Sequence, residues 1–567
     1  MNNITITLDK KEYSVEAGKT ILEVAKENQI EIPTLCYHPD AETEGHCGMC
    51  VVEIGNEQTR RYACMTPVEE GMVITTESDR LDTLRKKNLE RIFEKHAMKC
   101  GDCLLMGRCQ LLDLSRKLSV RPVIGNHEND SIFQEDTIIF DQSKCIDCGH
   151  CVNVCPVDYL KLTDSGVTAV SPEEEKECIN CGQCILHCPV GAIDGLGEFG
   201  ELKELEQLIG EKKKTVVVQF APSIRTAIGE EFGMEPGAIA TGQLVAGLKK
   251  VGFSYVFDTA SGADFTTTEE ALELSERLMS GERLPAMTSC CPSWVRFVEY
   301  YYPEFVPNLC TSRSPQIMLG GILKEYWAKK MDKDPNDIFV VSVMPCVSKK
   351  FEIMREELKI DGRNPVDMVL TTREMARLLK KNNVDLKTIE EESTENPFGD
   401  PSGAGVIYGS SGGVFESALR TAYFKMTGEN LPLDAVKELR GLDGIKKKEI
   451  TIGEKTVKIC VINGIKNAKS ILEELKTDPS RYDAVEVMAC PGGCVGGGGQ
   501  PTPMTKETIL ERARGLYTID ELKKIRCAHE NEDVKKTYDE FFLSEDIRKK
   551  ILHTKFSPRK HILKDEG

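Results

Sequence analysis

The chain has 567 residues, 40% of them hydrophobic and 29% charged; such a composition is globular, and at ~150 residues per domain the length predicts about four domains. Its 73 Lys and Arg against 91 Asp and Glu leave a net charge of −18, which excludes a nucleic-acid binder, since phosphate contacts need a basic surface. No apolar run approaches the roughly 18 residues that span a bilayer, and residues 1–10 alternate Ile4, Ile6 and Leu8 with polar neighbours as a strand does. No membrane span and a cytoplasmic location are therefore expected.

Twenty-three cysteines in a cytosolic chain cannot form a disulfide framework, because thiols there stay reduced; most must be metal ligands or reactive groups. Residues 1–79 read as two short strands, a helix over 20–29, and a loop-rich segment carrying Cys36, Cys47, Cys50 and Cys64. The two-residue gap departs from the four-residue gap of plant-type ferredoxins. A β-grasp domain holding a 2Fe-2S cluster and a zinc ribbon both accommodate the set. Residues 80–120 are helical, open on the basic run Arg80, Arg85, Lys86, Lys87, Arg91, Lys95 and Lys99, and contain His96-x3-Cys100-x2-Cys103-x5-Cys109. Three thiolates and one imidazole suit zinc or a 4Fe-4S cluster; the position between two redox modules favours the cluster.

Residues 121–203 carry a repeated motif, Cys145-x2-Cys148-x2-Cys151-x3-Cys155-Pro156 and Cys178-x2-Cys181-x2-Cys184-x3-Cys188-Pro189. In such runs three thiolates converge on one cubane and the fourth serves its neighbour. Cys145, Cys148, Cys151 and Cys188 are therefore expected to hold one 4Fe-4S cluster, and Cys155, Cys178, Cys181 and Cys184 the other. Four clusters in a row form a wire, and a wire implies a redox site at its end.

A charged helix over 200–214 leads into residues 204–515, where strands expected at 215–220, 254–257, 339–344, 405–408 and 457–462 alternate with helices. That alternation predicts an α/β region with mostly parallel sheets, preceded by α+β ferredoxin-like domains. Residues 516–567 read as a polar helical tail on the outside. Three further cysteine motifs lie in the α/β region: Thr288-Ser-Cys290-Cys291-Pro-Ser-Trp294, Met344-Pro-Cys346-Val-Ser-Lys349-Lys-Phe-Glu352, and Glu486-Val-Met488-Ala-Cys490-Pro-Gly-Gly-Cys494 followed by a glycine run to Gln500. Each sits near a strand end, where α/β folds gather their sites. The glycines are expected to let backbone approach a bulky ligand.

In order and spacing these three motifs resemble the signatures of FeFe hydrogenases. With the upstream modules the resemblance covers nearly the whole chain and extends to Ile551-Leu-His-Thr-Lys-Phe556, which is similar to the segment that some members carry as a small subunit. The resemblance implies an H-cluster, a 4Fe-4S cubane joined to a two-iron site carrying CO, cyanide and a bridging dithiolate. It implies cubane ligation by Cys291, Cys346, Cys490 and Cys494, with Cys494 bridging to the two-iron site. Cys290 is implied as proton relay and Lys349 and the Pro222–Ser223 segment as cyanide donors, with Met344, Met488 and Gln316 against the cluster. The proton path implied by the family runs over Glu270, Glu273 and Arg277; on residue spacing alone Glu273 and Arg277 read as an i,i+4 surface pair. Cys310 stands where the family has serine, and Tyr408 where it usually has phenylalanine. A thiol hydrogen-bonds weakly, so slower transfer is expected at Cys310, with Ser312 or a water as substitute. Cys460 and Cys527 fit no set and read as structural.

The expected activity is reversible reduction of protons to H2 with electrons from ferredoxin or a similar carrier, after maturation enzymes load the two-iron site. A second reading makes the chain the hydrogen-handling subunit of an NAD(P)-linked or electron-bifurcating complex with a flavoprotein subunit, since no nucleotide motif is present. A third, an H2 sensor of low turnover, fits less well because Cys290 is kept. The basic run from Arg80 to Lys99 is the expected landing patch for an acidic carrier.

Overall fold

The computed structural model describes residues 3–40, 45–55, 59–103, 105, 107–122, 132–163, 166–170, 174–395 and 397–559. The chain divides into two units, Met1–Lys176 with Gln183–Leu196, and Glu177–Gly182 with Gly197–Gly567.

In the first unit, strands β1 (Asn3–Leu8), β2 (Lys11–Glu16), β3 (Val51–Ile54), β4 (Thr59–Tyr62) and β5 (Val73–Thr75) form one sheet in the order β2-β1-β5-β3-β4. The helix Ile21–Glu27 starts at a reciprocal cap, in which Thr20 accepts from Glu23 N and the Glu23 carboxylate accepts from Thr20 N. It buries Ile21, Leu22, Val24 and Ala25 in the same core as Ile6, Leu8 and Val52. Strands β6 (Ile132–Gln134) and β7 (Ile138–Asp141), the hairpin β8 (Leu160–Thr163) and β9 (Gly166–Ala169), and β10 (Ile193–Gly195) frame the twin cysteine runs, with β10-β7-β6 as one small antiparallel sheet.

Of the basic run expected to form a local landing patch, only Arg85 is withdrawn from the surface. The run lies largely on the helix Asp79–Lys95, where Arg85 is buried and donates to the carbonyls of Met49, Val51 and Thr76. Lys95 pairs with Asp147 at 2.6 Å, and Lys99 with Asp141 at 3.3 Å. Buried carbonyls and paired carboxylates absorb these charges, leaving Lys86, Lys87 and Arg91 among the exposed cations of the helix.

The second unit holds two four-stranded sheets. Strands β11 (Thr215–Phe220), β12 (Tyr255–Asp258), β14 (Ile338–Met344) and β15 (Met368–Thr371) pair in the order β12-β11-β14-β15, all parallel. Strands β13 (Ala286–Met287), β16 (Ile445–Ile452), β17 (Lys455–Asn463) and β18 (Ala484–Met488) pair in the order β13-β18-β17-β16, with only the β16–β17 pair antiparallel. Four of the five strands expected here are present. The fifth is not: residues 405–408 fall in a short helix, Gly403–Ile407, and its cap. Ser402 caps it by accepting from Gly405 N at 3.1 Å. A Cβ at Gly405 would lie 2.4 Å from the Ala260 carbonyl, so glycine lets this turn pack on the long helix Thr259–Ser280. Capping and close packing outweigh the β-preference of Val406, Ile407 and Tyr408.

The cysteine motifs follow from the strands. β13 runs into Thr288–Cys291, β14 ends at Met344 just before Cys346, β18 ends at Met488 just before Cys490, and β11 runs into Pro222 and Ser223. Both sheets thus present carboxyl ends of parallel strands to one place, the crevice such sheets generically offer to a ligand.

Candidate metal centre and proton path

The strand ends of the second unit line a cavity of about 70 Å³. Its walls include Cys291, Cys346, Cys490 and Cys494, together with Cys290, Lys349, Met344, Met488, Gln316, Pro222 and Ser223. Every cubane ligand and cofactor contact expected from sequence therefore lines one cavity. Trp294 pins the first cysteine loop by donating from Nε1 to the Thr288 carbonyl at 2.9 Å.

Burial raises the thiol pKa of Cys346 and of Cys494 to about 12 each, and pushes Cys490 well above the ordinary thiol range. Four thiols held this way become thiolates when they bind a metal, and soft thiolates select iron–sulfur chemistry. The rest of the wall fits a ligand-bearing cluster as well. Among the described residues, Ser223 Oγ and Gln316 Oε1 are buried in this wall without a hydrogen-bond partner, and buried polar atoms are costly unless something meets them.

The Lys349 ammonium donates to the Cys290 carbonyl and to Glu352, both at 2.9 Å. Burial pulls its pKa down, but the charge and hydrogen bond of Glu352, together with negative charge on Cys290 and Cys346, hold it above the usual lysine value. Glu352 also accepts from Gln316 Nε2 at 2.6 Å, so one carboxylate orients two cavity side chains. Sequence reasoning gave Glu352 no role, although its i,i+3 spacing from Lys349 was a signal. Gln500 was missed likewise: its Nε2 donates to the Cys494 carbonyl at 3.2 Å, while its Oε1 accepts from Thr372.

Gly497 of the glycine run lines the cavity, where the expected close approach to a ligand would take place, and the run also packs tightly against protein. A Cβ at Gly497 would lie 2.3 Å from the Pro345 carbonyl, one at Gly498 2.7 Å from the Cys181 carbonyl, and one at Gly499 2.9 Å from the Thr371 side chain. These glycines admit neighbouring protein segments. Gly498 brings the twin-motif segment Glu177–Gly182 against the cavity loop, and a negative charge on Cys181 would act on Cys490.

Behind Cys290 lies a row of buried acids on the helix Thr259–Ser280. Burial, then the Glu273 charge, raises the Glu270 pKa to about 8. Glu270 accepts from Ser312 Oγ and from the Tyr408 hydroxyl, each at 3.4 Å. The hydroxyl that distinguishes Tyr408 from phenylalanine thus finds Glu270, and it accepts from Thr267 at 2.9 Å. Glu273 pairs with Arg277 and accepts from Thr311 N at 2.8 Å and Thr311 Oγ1 at 3.0 Å. The pair is buried, contrary to the solvated bridge that spacing alone suggested. Cys310 is buried beside both acids, and their charges add to burial in raising its pKa. Among the described residues its sulfur hydrogen-bonds neither carboxylate, and Ser312 makes the contact to Glu270 instead.

In the first unit, Cys145, Cys148, Cys151 and Cys188 line one cavity of about 30 Å³, which is the set drawn from both motifs. Cys155 and Cys184 belong to this unit, and Cys178 and Cys181 to the second. Cys36 Sγ accepts from Cys47 N at 3.3 Å, and Cys50 and Cys64 are 3.2 Å apart at sulfur. His96 Nδ1 donates to the Lys144 carbonyl at 2.7 Å. That bond sets the tautomer in which Nε2 carries the lone pair, as in metal-bound histidines. Cys100, Cys103 and Cys109 are half-buried. Cys460 lies in the β17 core and Cys527 is buried; the ring nitrogens of the neighbouring His529 are already hydrogen-bonded to Thr421 and Asn430.

Comparison with known proteins agrees with this geometry. The family model described as iron only hydrogenase large subunit, C-terminal domain, matches residues 214–498. A 2Fe-2S iron-sulfur cluster binding domain matches 1–79, a 4Fe-4S dicluster domain 144–192, and an iron hydrogenase small subunit 506–559. The NADP-reducing hydrogenase subunit HndD of Solidesulfovibrio fructosivorans is 38% identical, over 99% of this chain and 100% of that protein. Iron hydrogenase 1 of Clostridium pasteurianum is 37% identical, over 97% of this chain and 99% of its own length. A solved apo FeFe-hydrogenase variant from Chlamydomonas reinhardtii is 37% identical and superposes with a TM-score of 0.56, over 62% of this chain and 98% of that one. No helix among the described residues is long and apolar enough to cross a membrane. With its cysteine loops converging on one cavity and its sequence matched from end to end, this chain belongs to the FeFe hydrogenases, oxidoreductases acting on H2 that combine iron–sulfur domains with an H-cluster domain.

Proposed function

We propose that the chain interconverts protons and H2 at an H-cluster that Cys291, Cys346, Cys490 and Cys494 would hold. One observation carries this: thiols from three separate strand ends line one cavity with Lys349 and two orphaned polar atoms, Ser223 Oγ and Gln316 Oε1. When bound, the cluster supplies the two-electron chemistry of H2. The chain's own groups do the rest. Lys349, Ser223 and Gln316 orient polar ligands, Met344 and Met488 exclude water, and Cys290 passes protons to and from Glu270 at the cavity edge. Glu270 hands them to Glu273 through Ser312 and the Cys310 neighbourhood.

Cys36, Cys47, Cys50 and Cys64 would hold a 2Fe-2S cluster in a β-grasp domain, His96, Cys100, Cys103 and Cys109 a 4Fe-4S cluster, and the twin motifs two more, with Cys181 next to the cavity loop. When bound, these groups would supply one-electron transfer to the cubane. This makes one 2Fe-2S and three 4Fe-4S accessory clusters. The chain works in the cytoplasm, where maturation enzymes load its two-iron site. Infrared spectroscopy of matured protein tests the reading: CO and cyanide bands are expected, and their persistence in Cys494→Ala would overturn it.

For the electron partner, the likeness over 99% of this chain to a subunit of an NADP-reducing hydrogenase favours a flavoprotein NAD(P)-binding partner, with ferredoxin as the alternative donor. Affinity purification from the native cell decides between them. A flavin-containing subunit in stoichiometric yield supports the complex, and its absence with full ferredoxin-dependent activity supports the simple donor.

A further inference from the structure

The acid row ends at Arg277, and that end is closed. Arg277 is 1% exposed. Its guanidinium donates to Glu273 and to the carbonyls of Arg283, Asn308 and Leu309. Guanidinium does not release its proton in proteins, so Arg277 anchors Glu273 but gives protons no way out.

The other oxygen of Glu273 leads elsewhere. Glu273 Oε2 accepts from Thr311 Oγ1 at 3.0 Å, Thr311 Oγ1 lies 2.9 Å from His553 Nδ1, and His553 Nε2 lies 2.8 Å from Glu269 Oε2. His553 comes from the far end of the chain and is held by backbone pairing: Thr554 N donates to Thr311 O, and Arg313 N to Leu552 O, each at 2.8 Å. Arg313 Nε adds a bond to the His553 carbonyl at 2.8 Å. The His553 side chain is 18% exposed, against 8% for Glu273 and 2% for Glu269. Every link from Glu273 to this ring is within hydrogen-bond distance, and the ring reaches water.

We infer that His553 is the solvent-side proton relay of this hydrogenase, exchanging protons between water and Glu273 through the Thr311 hydroxyl. The inference rests on the reading of Glu273 as a member of the proton path. The hydrogens balance. Starting from the doubly protonated ring, with Nε2–H on Glu269 and Nδ1–H on Thr311, Thr311 gives its hydroxyl proton to Glu273 and takes the Nδ1 proton of His553 in its place; the neutral ring is then reprotonated from water, so one proton moves inward per cycle, and the reverse sequence carries one outward. Glu269 faces the ring from the other side. Burial pushes its pKa up, but bonds from His553 and Tyr538 outweigh burial and hold it below the usual carboxylate range. Arg548, 3.6 Å from Glu269, completes the charged surroundings with Glu273 and Arg313. An ionised Glu269 orients the ring by accepting a hydrogen bond from Nε2–H, leaving Nδ1 aimed at Thr311.

The test uses full-length, matured enzyme. His553→Gln and Thr311→Val are each expected to lower H2 evolution at saturating reductant by roughly a hundredfold, the lower end for a positioned proton-transfer group, with the CO and cyanide bands unchanged. Added imidazole is expected to restore turnover in His553→Ala and to leave Thr311→Val slow. A second readout needs no turnover. In histidine-labelled chain, with the His553 signal identified by its loss in His553→Gln, the ring titration followed by NMR is expected to move in Glu273→Gln, and to lose that response when Thr311→Val is added. Full turnover in both His553→Gln and Thr311→Val, or a ring titration indifferent to Glu273→Gln, overturns the inference. If Glu270→Gln also keeps full turnover, the path reading itself has failed; if Glu270→Gln is inactive while His553→Gln is not, only the His553 assignment falls.

Discussion

Lys349 Nζ sits 2.9 Å from the carboxylate of Glu352 one helical turn away, and both side chains are almost wholly buried. Removing one member of such a pair strands the other charge in a low-dielectric site. Glu352→Gln is therefore expected to cost about 3–5 kcal/mol of stability, read from the denaturant midpoint. It also releases Gln316, so shifted cyanide bands in the matured protein are expected. An unchanged midpoint would remove Glu352 from its positioning role.

Glu270 gives a stability prediction whose sign follows from its raised pKa. The folded state holds a proton up to about pH 8, whereas the unfolded carboxyl releases it near 4.5. Its stabilising contribution is complete below pH 4.5, declines as pH rises through that window, and is lost above about 8. Glu270→Gln, which stays neutral, should lack this decline. Melting curves at pH 6 and pH 9 check it: the gap between the two should be smaller in the variant, even as turnover falls by roughly 10²–10⁴-fold.

Tyr408 offers a finer adjustment of the same group. Its hydroxyl is one of the donors that hold the Glu270 pKa down against burial and the Glu273 charge. In Tyr408→Phe the Glu270 pKa should move further up, and the pH-dependence of turnover should shift alkaline. Thr267 keeps Ser417 as a partner at 2.7 Å, so the stability cost should stay near the 0.5–1.5 kcal/mol of one hydrogen bond. A pH profile identical to the parent would exclude Tyr408 from the path.

At Gly498 an added Cβ would sit 2.7 Å from both the Cys181 carbonyl and Gly182 Cα. Backbone cannot yield as a flexible side chain does, so Gly498→Ala should cost about 1–3 kcal/mol and push the cysteine loop off the cavity wall. Slower reduction of the cubane by the accessory clusters, followed by freeze-quench EPR, is the expected functional effect. Parent-like stability and reduction rate would show that the loop tolerates the methyl group.

Much of the site was legible because cluster ligation is written in local spacing. Cys145-x2-Cys148-x2-Cys151 announces a cubane wherever the chain goes, and the cavity that gathers these three with Cys188 matches that reading. The strand ends were legible too, since apolar runs such as Thr215–Phe220 have little alternative to a buried parallel strand. Local propensity misled at residues 405–408, where Ser402 capping and a close helix contact made a turn of helix from a β-like run. It misled again at Arg85, whose charge reads as surface but serves three buried carbonyls.

Residue types and short intervals thus marked where along the chain metal ligands are expected, because ligand chemistry acts over a few bonds. Only the tertiary structure decided which side chains from distant segments share a proton. Thr311 and His553 meet across 242 positions through backbone pairing, and Glu352 ties Lys349 to Gln316 of a separate helix. A hydrogen bond needs its atoms within about 3 Å, and for residues so far apart in sequence that distance is set by packing alone.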